Sequence, residues 1–140
     1  MNRTNLIKLA NGLFKHKSYG ARFDMRQFCS SESFYYTTDC GTVGCAVGFG
    51  PFCGIPKFSY ETWREYSYKF IDPFYNSDWA WCFGSAWSTC DNTRKGAARR
   101  ITYLLRNGKP PESFDRHDKN SYKKCLRFYK KDRYLSVPKA

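Results

Sequence analysis

The chain has 140 residues, room for one domain, and carries Phe 12, Tyr 11 and Trp 4, so it is too aromatic for disorder over most of its length. Its net charge of +12 is segregated: residues 1–28 are net +5, residues 29–91 net −4, residues 92–112 net +5 and residues 113–140 net +6. There is no run of 18 apolar residues, hence no expected membrane span, and seven cysteines without a secretory leader predict free thiols in a reducing cytoplasm.

In chain order, Leu6, Leu9, Ala10, Leu13 and Phe14 recur at helical spacing and predict a helix over 5–15. Thr4 or Asn5 is its expected cap, and Lys8, Asn11 and Lys15 lie on its opposite side. Residues 23–28 read as a short extended piece or one helical turn, and residues 30–39 as a polar loop. The glycines at 41, 44 and 48 fall on one face of a helix starting at Asp39 or Thr42. That face would let another backbone approach closely, and the expected partner is the small-residue half of the helix bearing Ala97 and Ala98. Each glycine opposes such a helix by about 1 kcal/mol relative to Ala. The rival reading is an anion or ligand site at Cys40, Gly41, Thr42 and Gly44. It lacks the Lys and Ser/Thr of a phosphate loop.

Ser59 is the expected cap of a helix over 60–71, in which Tyr60, Trp63, Tyr66 and Phe70 recur at spacings of three and four. Residues 74–90 form a second aromatic cluster, read as a short helix and then a loop. Trp79, Phe83 and Trp87 share one face there, with Trp81 off it. Core packing is favoured over a stacking platform for bases. The clearest helix spans Asp91 to Gly108: caps at 91–93, an apolar stripe of Ala97, Ile101, Leu104 and Leu105, and a Gly108 stop before Pro110 and Pro111. Residues 1–112 are expected to form the helical domain. Residues 113–140 read as a basic extension with one amphipathic helix over 121–134, apolar at Tyr122, Cys125, Leu126 and Tyr129.

Catalysis is not expected. The two histidines lie in basic flanks, and acid–base work needs a placed His or carboxylate. Cys40 at a helix N-terminus is the one candidate reactive thiol. The cysteine spacings do not suit structural zinc, and no metal or cofactor is expected.

Phe23-Asp24-Met25, the block Cys40-Gly41-Thr42-Val43-Gly44-Cys45-Ala46-Val47-Gly48, Trp79-Ala80-Trp81-Cys82-Phe83-Gly84-Ser85 with Trp87, and Asp91-Asn92-Thr93 with Gly96-Ala97-Ala98, Arg100 and Ile101 resemble a pattern in small phage and bacterial proteins of unknown function. The resemblance spans roughly residues 5–110 and implies a compact, mainly helical domain of phage or prophage origin, acting in the host cytoplasm. It implies no activity, substrate or catalytic residue.

The expectation is thus a mainly α, single-domain helical bundle with an aromatic-rich core and irregular loops. Its function is read as non-enzymatic binding of an anionic partner, nucleic acid or an acidic host protein. Arg94, Lys95, Arg99, Lys123, Lys124, Arg127, Lys130 and Lys131 are the expected contacts. The second reading is a small-ligand binder that sequesters a nucleotide signal, and the least supported is a cysteine-dependent enzyme.

Overall fold

The computed structural model describes residues 1–15, 22–25, 43–72 and 76–139. It is mainly helical. Among the described residues there are six α-helices: α1 (Arg3–Lys15), α2 (Trp63–Ser67), α3 (Ser77–Phe83), α4 (Arg94–Asn107), α5 (Lys119–Lys124) and α6 (Leu126–Tyr129). Short 3-10 turns cover Gly50–Cys53, Ser85–Thr89 and Asp132–Leu135. One two-residue parallel pairing joins β1 (Arg22–Phe23) to β2 (Val43–Gly44), with Arg22 opposite Val43.

Helix α1 begins two residues earlier than its apolar stripe suggests. The Asn2 side chain accepts from the Asn5 backbone N–H at 3.0 Å, so Asn2, rather than Thr4 or Asn5, satisfies the first turn. Leu6, Leu9, Ala10 and Leu13 are buried as the spacing predicts. The expected helix over 39–48 is not formed from residue 43 onward: Val43 and Gly44 are extended and residues 46–49 are turns. The glycine cost is therefore not offset by packing, and the chief neighbour of α4 is α1.

The helix expected over 60–71 shrinks to α2. Thr62 and Glu65 form a reciprocal capping box, which fixes the start three residues after Ser59. Tyr60 is left outside the helix and 78% exposed.

Helix α3 is buried from Trp79 to Phe83, where it lies between two groups of aromatic rings. On one side Trp79 and Phe83 meet edge to face at 5.6 Å, and Phe83 meets Phe70 at 5.9 Å. On the other, Trp81 contacts Trp87, Phe114 and Tyr129 at centroid distances of 5.1 to 5.7 Å. Trp81, off the face shared by Trp79 and Phe83, is thus as buried as they are. Trp79, Trp81 and Trp87 are at most 2% exposed. Their indole N–H groups donate to Ser67 Oγ, the Arg100 carbonyl and the Ala80 carbonyl. Buried rings whose N–H groups are satisfied inside the fold are core, and offer no platform for a base.

Helix α4 follows its sequence closely. Thr93 accepts from the Gly96 N–H at 2.9 Å as the N-cap, and Gly108 closes the helix at φ 79°, a left-handed turn that glycine takes without strain. Helix α1 packs along it in antiparallel sense. Arg3 Nη1, at the start of α1, donates to the Leu105 carbonyl, near the end of α4, at 2.8 Å.

The single helix expected over 121–134 is broken. Cys125 separates α5 from α6, and Lys130 leaves the helix at φ −84°, ψ 49°. The segment 113–139 supplies Phe114, Tyr122, Cys125, Tyr129 and Tyr134 to the same buried cluster as Trp81, Trp87 and Ile101. Three side chains of α4 tie its distal end down: Arg99 Nη2 donates to the Lys131 carbonyl at 3.0 Å, Arg106 donates to the Ser136 carbonyl, and Asn107 donates to Tyr134 Oη.

Candidate anion-binding clefts at the N-terminus of helix α4

Seen from inside, the start of α4 is a buried polar cluster. Arg100 falls three residues after Ala97 and four before Leu104, on the apolar stripe, and is wholly buried. Its guanidinium lies over Trp87 at 4.3 Å and over Tyr129 at 5.3 Å. Arg100 Nη1 donates to Tyr129 Oη at 2.9 Å and to Asp91 Oδ2 at 3.4 Å. Tyr129 Oη in turn donates to Asp91 Oδ2 at 2.6 Å, and Thr93 Oγ1 donates to Asp91 Oδ1 at 2.6 Å. Arg100 Nε and Nη2 have no hydrogen-bond partner among the described residues, and the two rings stacked on the guanidinium take their place.

The carboxylate of Asp91 is ionised. Burial would raise its pKa, but the hydrogen bonds from Thr93 and Tyr129 and the charges of Arg100 and Lys130 outweigh burial and hold it below the usual range. The Tyr129 hydroxyl is pushed up, chiefly by burial and by its bond to Asp91. A Cβ on Gly96 would sit 2.1 Å from Asp91 Oδ2, so only glycine lets this carboxylate lie against the first turn of α4.

Seen from outside, the same helix end is basic. A cleft of about 210 Å³ is lined by Lys95, Gly96 and Arg99 from α4, Lys130 from the segment after α6, and Asp91 and Thr93. The first turn of α4 contains no acidic residue. Arg94 and Lys95 there face the positive end of the helix dipole, which costs each about 0.3–1 kcal/mol at low salt. The only acid in this cleft is Asp91, whose charge is already balanced by Arg100.

A second cleft, of about 390 Å³, lies between α1 and the turn Gly50–Cys53, lined by Lys8, Asn11, Gly12, Lys15, Phe52 and Cys53. The Cys53 thiol is pushed up to about 12 by burial, partly offset by the charge of Arg94. Burial likewise raises Cys82, and raises Cys90 less. These three thiols are protonated near neutral pH and poor nucleophiles.

The structure brings together Lys95, Arg99 and Lys130 of the expected contacts. Arg94 is half-buried beside them, on the Cys53 side. Lys123, Lys124, Arg127 and Lys131 are exposed, on the side of the C-terminal segment away from its buried residues, and line neither cleft. Cys40, Gly41 and Thr42 lie outside the described residues, and Gly44 stands in β2 rather than at a helix start. The sequence reading missed Arg100, Asp91 and Tyr129 as one unit, although the place of Arg100 on the α4 stripe was the signal for it.

Among the described residues no helix is long and apolar enough to cross a membrane, and no group of three His, Cys, Asp or Glu is placed to hold a metal. Compared with protein-family models, curated proteins and solved structures, the chain matches none of them.

Proposed function

We propose that this chain is a non-enzymatic module that binds nucleic acid through its phosphates. The observation that carries this reading is the convergence of Lys95, Arg99 and Lys130 in one cleft at the N-terminus of a 14-residue helix without an acid in its first turn. Cations placed there weaken the helix, whereas a phosphate near this helix end would be stabilised by the dipole and by all three side chains. Lys123, Lys124, Arg127 and Lys131 are exposed as well and add to the long-range attraction a polyanion feels.

The chemistry of the cleft favours phosphate over an acidic protein. Protein interfaces have aromatic or aliphatic anchors at their centre and few lysines. The large apolar side chains exposed among the described residues, Met1, Phe58, Tyr60, Tyr68 and Leu135, line neither cleft.

Fluorescence anisotropy with a labelled single-stranded oligonucleotide tests the reading. Three phosphate contacts on a single strand predict an affinity loss of about 20-fold between about 50 and about 200 mM salt. Lys95→Glu/Lys130→Glu should remove most of the affinity and flatten the salt dependence. A salt-independent signal, or no binding at low salt, overturns the proposal. So does binding of an acidic peptide but no oligonucleotide.

A further inference from the structure

One cleft is lined by the C-terminal half of α1 and the other by the N-terminal end of α4. The antiparallel packing fixed by Arg3 and the Leu105 carbonyl carries the C-terminal half of α1 to the N-terminal end of α4. Thirteen residues of α1 from Arg3 to Lys15, and the twelve of α4 from Leu105 back to Arg94, cover nearly the same length at about 1.5 Å per residue. Lys15 therefore ends level with Arg94. The turn Gly50–Cys53 closes the second cleft against this pair: a Cβ on Gly12 would lie 2.2 Å from Cys53 Sγ, so the turn sits hard against α1.

Arg94, the first residue of α4, is half-buried. Its charge reaches Cys53 in the wall of the second cleft, while Lys95, the next residue, lines the first. The second cleft holds Lys8 and Lys15 with no acidic side chain on its wall, and both lysines are exposed. The cations thus fall into two groups at one end of the α1–α4 pair, Lys8 and Lys15 in one cleft and Lys95, Arg99 and Lys130 in the other. An isolated small anion would need one cleft. Two concave stations suit a chain of phosphates.

We infer that the cleft of Lys8 and Lys15 is a second phosphate station on the same nucleic-acid strand, which crosses the N-terminus of α4 over Arg94. This inference rests on the reading of the first cleft given above. It assigns binding roles to Lys8, Lys15 and the Asn11 amide, which donates to a phosphate oxygen. It also predicts that affinity depends on strand length, because a fragment of about four nucleotides fills one station and a longer strand fills both.

The test compares Lys8→Glu/Lys15→Glu with Lys95→Glu/Lys130→Glu. Each is titrated with oligonucleotides of about 4 and about 20 nucleotides over a salt series. Lys8→Gln/Lys15→Gln serves as a second version with no acid introduced near the end of α1. Removing the α1 pair should weaken the long oligonucleotide at least tenfold and reduce the salt slope by about 1.4, the share of two phosphates on a single strand. It should change the short one less. If the α1 variants bind the long strand with wild-type affinity and slope while the Lys95/Lys130 variant is impaired, the second station is wrong and the first cleft stands. If the wild type binds no oligonucleotide, both fall. Thermal unfolding of each variant separates loss of binding from loss of fold.

Discussion

The two faces of the start of α4 use the same kind of residue for opposite purposes. Inside, Arg100 is matched to Asp91, Tyr129 and two aromatic rings, and is wholly withdrawn from water. Outside, Lys95 and Lys130 have no ion-pair partner among the described residues, and Arg99 spends one nitrogen on the Lys131 carbonyl. Charge on the inner face closes the structure by joining α4 to the C-terminal segment. Charge on the outer face is less committed: Arg99 holds the Lys131 carbonyl, Lys130 acts on Asp91 only at a distance, and Lys95 is exposed. A count of basic residues along α4 does not separate the two roles; burial and pairing do.

The largest effect should come from breaking the inner face. Asp91→Ala leaves the Arg100 guanidinium buried without its counter-charge and should cost about 3–5 kcal/mol by urea unfolding. Tyr129→Phe keeps the ring over Arg100 but removes the hydroxyl that bridges it to Asp91, for about 1–3 kcal/mol. Gly96→Ala sharpens the same point. In an ordinary helix the change would stabilise by about 1 kcal/mol. Here the new methyl meets the Asp91 carboxylate, so a net loss of about 1–2 kcal/mol is expected. A gain in stability would show that Asp91 is free to move.

Acid tests the inner face without a crowded methyl. The Asp91 carboxyl is held below its unfolded value of about 3.9, so its contribution is present above about pH 4 and lost as pH falls through the native value. The stability gap between wild type and Asp91→Asn should narrow over that range. The smallest effect belongs to the outer face: in Lys95→Glu/Lys130→Glu the gain from an acid in the first turn of α4 opposes the loss of the Lys130 charge near Asp91, so unfolding should stay within about 1 kcal/mol of wild type while the affinity for oligonucleotide collapses.

How much of this was readable in advance differs by element. Helix α4 was legible to within a turn because Thr93, the aliphatic stripe and Gly108 all agree with one another. The stretch at 43–48 was not. Helical spacing of glycines carries no packing information of its own, and backbone entropy decided for turns. Helix α2 was over-extended because the aromatic periodicity of 60–71 continues past the point where Thr62 and Glu65 start the helix. For the clefts, Lys95, Arg99 and Lys130 could be named one by one. Their meeting depends on Tyr129 packing under Arg100, a contact between residues 29 apart that no local pattern encodes.

The pairing of α1 with α4 also has a consequence in time. Arg3 and Leu105 are 102 residues apart, so α1 emerges from the ribosome long before the helix that covers it. At about 5–20 residues per second the wait is about 5–20 s. A 13-residue helix is at the margin of independent stability in water, so nascent α1 remains largely coil with Leu6, Leu9 and Leu13 uncovered over that interval. Holding such a segment harmless until its partner arrives is a job for chaperones, and synthesis rate, rather than final stability, should set how much of this protein accumulates in soluble form.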